Sequence, residues 1–196
     1  AVIYLKAVKS SLLSSFFVLQ GILALWIVSK ILKTFAPNAQ IKFFFVVCQY
    51  AGVCFLGPAF IVFAHIFANG VKPGKKLMAL LLSISALCFL TVATNPLHYL
   101  FYTNFDFWGD SFGPLFYLHQ GYSFLLFAIG ILLCGKRFLG RFSEKRIQTV
   151  FFTFAMAIPM IANLLYVFRF LKKIFGFSPP FDITPMSASA SLILFA

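Results

Sequence analysis

Thr94–Ser123 reads TNPLHYLFYTNFDFWGDSFGPLFYLHQGYS, and its contrast with what lies on either side decides the fold. The apolar run Leu77–Thr94 leads into it and the apolar run Pro114–Cys134 leads out of it. Between them the chain gathers two of its three His, two of its four acidic residues and one of its two Trp. A polar and aromatic connection between two long apolar runs is what joins helices that cross a bilayer.

The whole composition agrees. Hydrophobic residues make up 62% of the 196 positions and charged residues 10%, with 29 Phe. Soluble domains carry about 45–50% apolar and about 25% charged residues. A chain of this size has too little interior to hide that much apolar surface from water, so lipid is the solvent for most of it.

A spanning helix needs about 20 mostly apolar residues. Five segments meet that length: Ser11–Leu32, Phe43–Phe67, Leu77–Thr94, Pro114–Cys134 and Ile147–Leu171. A sixth begins near Pro185. The fold class is therefore all-α, a polytopic transmembrane bundle of five complete spans and the start of a further one. The chain reads as one domain over 1–196, truncated at both ends, because AVIYLKAVKS resembles the middle of a protein and SASASLILFA stops inside an apolar run.

The formal charge of +12 does not point to nucleic acid, because the 16 Lys and Arg fall in short clusters between apolar runs rather than along one face. They act instead as topology signals. One set of alternate connections holds Lys6, Lys9, Lys72, Lys75, Lys76, Lys136, Arg137, Arg141, Lys145 and Arg146. The opposite set holds Lys30, Lys33, Lys42, Arg169, Lys172 and Lys173, with Asp106, Asp110 and Asp182. The richer side is expected in the cytoplasm, which turns the Thr94–Gly113 loop outward. Cys48, Cys54, Cys88 and Cys134 lie inside apolar runs at spacings that match no zinc or redox motif, so they read as small buried side chains.

Candidate ligand-binding residues follow from helical spacing. Asn95 and His98 are three apart at one shoulder of the loop, and His119 and Tyr122 are three apart at the other. Asn163 and Tyr166 fall in the same half of the next helix, Gln49 and Tyr50 reach towards it from the second, and Asp182 stands before the last. Polar side chains in a membrane are costly unless they pair or line water, so Asn95, His98, His119, Tyr122, Asn163 and Asp182 are expected around one outward pocket, with Trp108 on its rim. The competing reading is structural: Asn and Asp beside Pro end helices, and Tyr, Trp and His collect at membrane interfaces. Pro58 and Pro159 interrupt helices and are candidate hinges.

His98 and His119 are of the type that binds metal or haem, but a haem would need them on facing helices within the bilayer. No metal and no cofactor is expected. His65, near the opposite end of the second helix, is an interfacial hydrogen-bonding group. No Ser, His and Asp set, phosphate loop or metalloprotease motif occurs, so the chain is not expected to be an enzyme. It also places no acid in mid-membrane, as a proton or ion carrier would.

In sequence order the chain carries Gly57-Pro58 followed by Phe60 and Phe63, then Thr94-Asn95-Pro96-x-His98-x-x-Phe101, then Gly113-Pro114-x-Phe116-x-x-His119-x-x-Tyr122-Ser123. Gln148, Pro159 with Asn163 and Tyr166, and Asp182-x-Thr184-Pro185 complete the series. The series resembles the seven-transmembrane N-terminal sensor region of bacterial histidine kinases, also found before diguanylate cyclases. Tyr102 departs from it, since Trp often follows Phe101 there. The resemblance implies helices two to seven of a seven-helix receptor in the bacterial inner membrane, with a cytoplasmic kinase or cyclase beyond Ala196. Expected partners are membrane lipids, a small-molecule or lipid ligand, and a second copy through a homodimer of the full-length protein. The alternative is a small-solute transporter or a helical subunit of a membrane complex.

Overall fold

The computed structural model describes residues 11–106, 109–138 and 143–167, together with Ser187. Trp108, Asp182 and the helix expected from Pro185 lie outside the described residues. Helices α1 (Ser11–Thr34), α2 (Ala39–Asn69) and α3 (Lys75–Ala93) are followed by the short α4 (Asn95–His98). Strands β1 (Tyr102–Asp106) and β2 (Gly109–Phe112) come next, then α5 (Pro114–Phe138) and α6 (Ser143–Val167).

Local signals set the helix ends. Pro37 cannot continue α1, and Asn38 then caps α2 by accepting the Ile41 amide through its side chain at 2.9 Å. Gly70 ends α2 at φ 76°, in the left-handed region, with its amide on the Ile66 carbonyl. His65 bonds the Val71 carbonyl at this same end, as an interfacial histidine does.

Four segments among the described residues are long and apolar enough to cross a membrane: α1, α2, α3 and Pro114–Lys136 of α5. Of the fifth expected span, Ala157–Val167 of α6 forms a shorter apolar helix among the described residues. Leu118, Leu125 and Leu132 repeat every seven residues along α5 and are exposed, as a face towards lipid requires.

Helix α2 is the hub. It packs on α1, α3 and α5, and α6 packs on α5. One core joins Leu19, Leu23 and Trp26 of α1 to Phe60, Phe63 and Phe67 of α2. The Phe60 ring occupies the space that a side chain on Gly130 would need, since an added Cβ would lie 2.4 Å from it. Glycine there lets α5 approach α2. Ser83, Ala79 and Leu87, which share one face of α3, are exposed rather than packed against another helix.

The Thr94–Gly113 connection, expected as loop, contains a hairpin. Strands β1 and β2 are antiparallel, with Tyr102 opposite Phe112, Phe105 opposite Asp110 and Asp106 opposite Gly109, and the register shifts between Tyr102 and Asn104. Tyr, Thr and Phe favour such a strand once tertiary contacts hold it. Two backbone bonds tie the hairpin's base to α5, Gly113 N–H to Phe101 at 2.9 Å and Leu115 N–H to Leu100 at 3.1 Å. A Cβ on Gly113 would fall 2.2 Å from the Leu100 carbonyl oxygen, which is backbone and cannot swing aside. Gly113→Ala is expected to destabilise the chain by about 1–3 kcal/mol, the usual cost of overpacking, read as a lower melting temperature in detergent.

Candidate functional site

The hairpin closes one end of the bundle, and three attachments hold it there. The first is Asn95, fully buried just after α3. Its carbonyl oxygen accepts the amides of Phe101 and Tyr102, both at 3.0 Å, and its amide donates to the Tyr102 carbonyl at 3.1 Å. Both acceptor positions and one donor of the side chain are thus spent on the hairpin's own backbone.

The second attachment is ionic. Lys33, in the last turn of α1, donates to both carboxylate oxygens of Asp110 on β2, at 2.7 and 3.0 Å. The side chains are only 7% and 6% exposed. The ammonium also lies 5.9 Å from the centre of the Tyr102 ring, within cation–π range. Two charges taken out of water need such a partner on each side.

The third is aromatic. Phe112 stacks on Phe116 at 3.8 Å, and Phe101 meets Phe116 and Tyr50 edge to face at 5.7 and 5.0 Å. The Tyr50 and Tyr102 hydroxyls are 2.8 Å apart and buried. Burial first, then the nearby Tyr50, pushes the Tyr102 phenol well above its usual range, so it remains a neutral hydroxyl. Tyr50→Phe leaves that hydroxyl with one partner fewer, and an expected loss of about 1–3 kcal/mol is measurable by chemical unfolding in micelles.

Beneath the hairpin lies a cavity of about 40 Å³. Its wall takes Trp26 and Lys30 from α1, Gln49 and Tyr50 from α2, Gln120 from α5, and Asn163 and Tyr166 from α6. Gln120 donates to the side-chain carbonyl of Asn163 across that wall. The Oε1 atom of Gln49 is buried with no hydrogen-bond partner among the described residues. At about 10–15 Å³ for each water, the volume suits a few waters or a very small polar molecule.

The residues singled out from the sequence are distributed unevenly around this space. Asn163 lines it, as do Gln49, Tyr50 and Tyr166. His119 is 1% exposed and sits against the Tyr50 and Phe101 rings at 5.8 and 5.9 Å, with neither nitrogen partnered among the described residues. His98 is half-buried and bonded locally: its Nδ1 accepts the Leu100 amide at 2.9 Å, and its Nε2 is 3.3 Å from the Thr94 hydroxyl. The two histidines therefore have different surroundings. Tyr122 points to α3, donating to the Leu81 carbonyl at 3.0 Å with Ser85 Oγ at 3.5 Å. Pro58 is buried in α2, and Pro159 is half-buried in α6.

The motif residues Asn95, Phe101, Phe116 and His119 converge on the base of the hairpin, so their spacing records how that hairpin is anchored. The family model for the N-terminal 7TM region of histidine kinase matches residues 1–196. The chain belongs to that family. No curated protein and no solved structure matches it. The 7TM region is a membrane sensor domain, the input part of a histidine kinase rather than its catalytic part. With four apolar spans among its described residues, this 7TM region is a multi-pass membrane protein.

Lys33 and Asp110 are the residues that sequence reasoning missed as a pair. A signal for Lys33 was present: Leu19, Leu23, Trp26, Lys30 and Lys33 follow one another at steps of three and four, so Lys33 extends the buried stripe of α1. A lysine on that stripe demands an acid, and the chain has only four. Gln120 had no comparable signal.

Proposed function

We propose that this 7TM region lies in the bacterial inner membrane as the input domain of a histidine kinase or diguanylate cyclase, with the hairpin end outside. The observation that carries the reading is the polar cavity under the hairpin, walled by α1, α2, α5 and α6 together. A ligand there touches four helices at once, and any difference in its affinity for two helix arrangements shifts the balance between them. The cavity is small, so a larger ligand enters only when the hairpin lifts. Asn163 and Gln49 supply recognition, and Asn95 acts through the hairpin it holds. Pro58 and Pro159 are the points at which α2 and α6 bend, and the full-length protein works as a homodimer.

Two experiments bear on this. A membrane-impermeant maleimide should label Asn104→Cys in intact spheroplasts, and Lys76→Cys only after the membrane is opened; the reverse pattern refutes the orientation. In native vesicles, Gln49→Leu and Asn163→Leu should each change the output activity of the full-length protein at least twofold at equal abundance. Output identical to the unaltered protein for both variants would remove the cavity as the input site.

A further inference from the structure

At the opposite end of the bundle, α1 and α3 both lean on α2 and leave a groove of about 860 Å³ between them. That is within the range of about 300–1,000 Å³ for small-molecule sites. Its floor is made of small or smooth residues of α2, Ala51, Pro58 and Ala59. Val18 and Ile22 form one wall and Ala79 and Leu82 the other. Its polar side chains are Ser11, Ser14 and Ser15 on α1 and Lys72 and Lys75 at the mouth, with the Ser15 hydroxyl turned back to the Leu12 carbonyl. Both lysines are exposed, and neither has an ion-pair partner among the described residues. The groove is therefore mostly apolar along its length and cationic at one end, and that end is where the spans α2 and α3 leave the apolar zone.

We infer that this groove is a binding site for an anionic phospholipid, with one acyl chain along Pro58 and Ala79 and the phosphate between Lys72 and Lys75. Charge decides the occupant. Connections at this end also carry Lys76, Lys136, Arg137, Arg141, Lys145 and Arg146 against the single acid Glu144, so a second copy would bring like charge to the mouth. The chain's own first residues carry Lys6 and Lys9 and would do the same. An anionic headgroup brings the opposite sign, and lysines beside a membrane attract such lipids. A zwitterionic lipid gains the apolar groove but no net attraction at the lysines. The site is independent of the signal-input reading and of the cavity under the hairpin.

The test is native mass spectrometry of the purified full-length protein, released from nanodiscs of equal phosphatidylglycerol and phosphatidylcholine. The unaltered protein is expected to retain phosphatidylglycerol about thirtyfold over phosphatidylcholine, the scale expected for two lysines at an anionic surface. Lys72→Gln with Lys75→Gln should abolish the preference, while Lys136→Gln, on α5 away from the groove, should leave it intact. Ala79→Trp and, separately, Leu82→Trp fill the groove without touching the charges and should each release the lipid. Equal retention of both lipids, a preference that survives loss of the two lysines, or undiminished retention in the filled variants overturns the proposal. So does efficient disulfide capture of Met78→Cys by a second copy, which would put protein in the groove.

Discussion

Lys33→Met alone is expected to destabilise the chain by about 3–5 kcal/mol, because it strands a buried carboxylate. Asp110 is 7% exposed, and both its oxygens are occupied by the Lys33 ammonium. With that ammonium gone the carboxylate is left buried without a counter-charge. Asp110→Leu should cost a similar amount, since an unpartnered ammonium would then lie beside the Tyr102 ring. The double variant is the informative one. Replacing a buried pair by apolar groups of similar volume is often neutral or stabilising, so Lys33→Met with Asp110→Leu should recover most of the loss. Unfolding free energies in mixed micelles for the four proteins close the cycle and isolate the coupling. Single variants that each cost under about 1 kcal/mol, the value of a solvated surface pair, would show that the ion pair is open to water.

The same cycle separates stability from signalling. If the pair is the latch by which the hairpin stays down, the double variant is stable yet its cavity opens more easily, since directional ionic contacts have been exchanged for apolar ones. Its output in vesicles should then be shifted while its unfolding free energy is restored. A purely structural pair would give restored stability and unchanged output.

Much of the fold was legible because helix length in a bilayer is set by apolar runs, and the observed α1, α2, α3 and α5 each overlap an expected span. The ends differ by several residues at places such as Ala39, where α2 begins under the Asn38 cap four residues before the apolar run at Phe43. The hairpin was not legible. Asn104, Asp106, Gly109 and Asp110 are turn-forming residues, and what makes them strand is external: Asn95 bonding the backbone of Phe101 and Tyr102, and Lys33 holding Asp110 from a helix 77 residues away in sequence. Long-range partners of this kind leave no periodicity. Helical spacing placed the polar residues on shared helix faces, but spacing cannot say whether a side chain faces a cavity or a neighbouring backbone. Asn163 faces the cavity; Asn95 and Tyr122 face backbone.

Asn95→Ala should be as damaging as loss of the ion pair and more local. It leaves the Phe101 and Tyr102 amides and the Tyr102 carbonyl without the partner they have now, and each buried group so stranded costs about 1–3 kcal/mol. Water entering the vacated space would offset part of that sum, so the expected total is about 3–5 kcal/mol. The loss should appear first in the hairpin. Hydrogen exchange at residues 101–106 and 109–112 should accelerate by at least a hundredfold, while the amides of α1 and α2 keep their protection. Asn95→Asp discriminates further. It keeps the acceptor for the two amides but sets a carboxylate oxygen against the Tyr102 carbonyl, now 3.1 Å from the Asn95 amide nitrogen. The hairpin should therefore loosen in the Asp variant too, though less than in the Ala variant. A residue that served only to bind a ligand would behave otherwise: both variants would lose signal-dependent output while the hairpin's exchange stayed slow. Fast exchange with the helices intact assigns Asn95 to the anchoring of the hairpin, and through it to the shape of the cavity beneath.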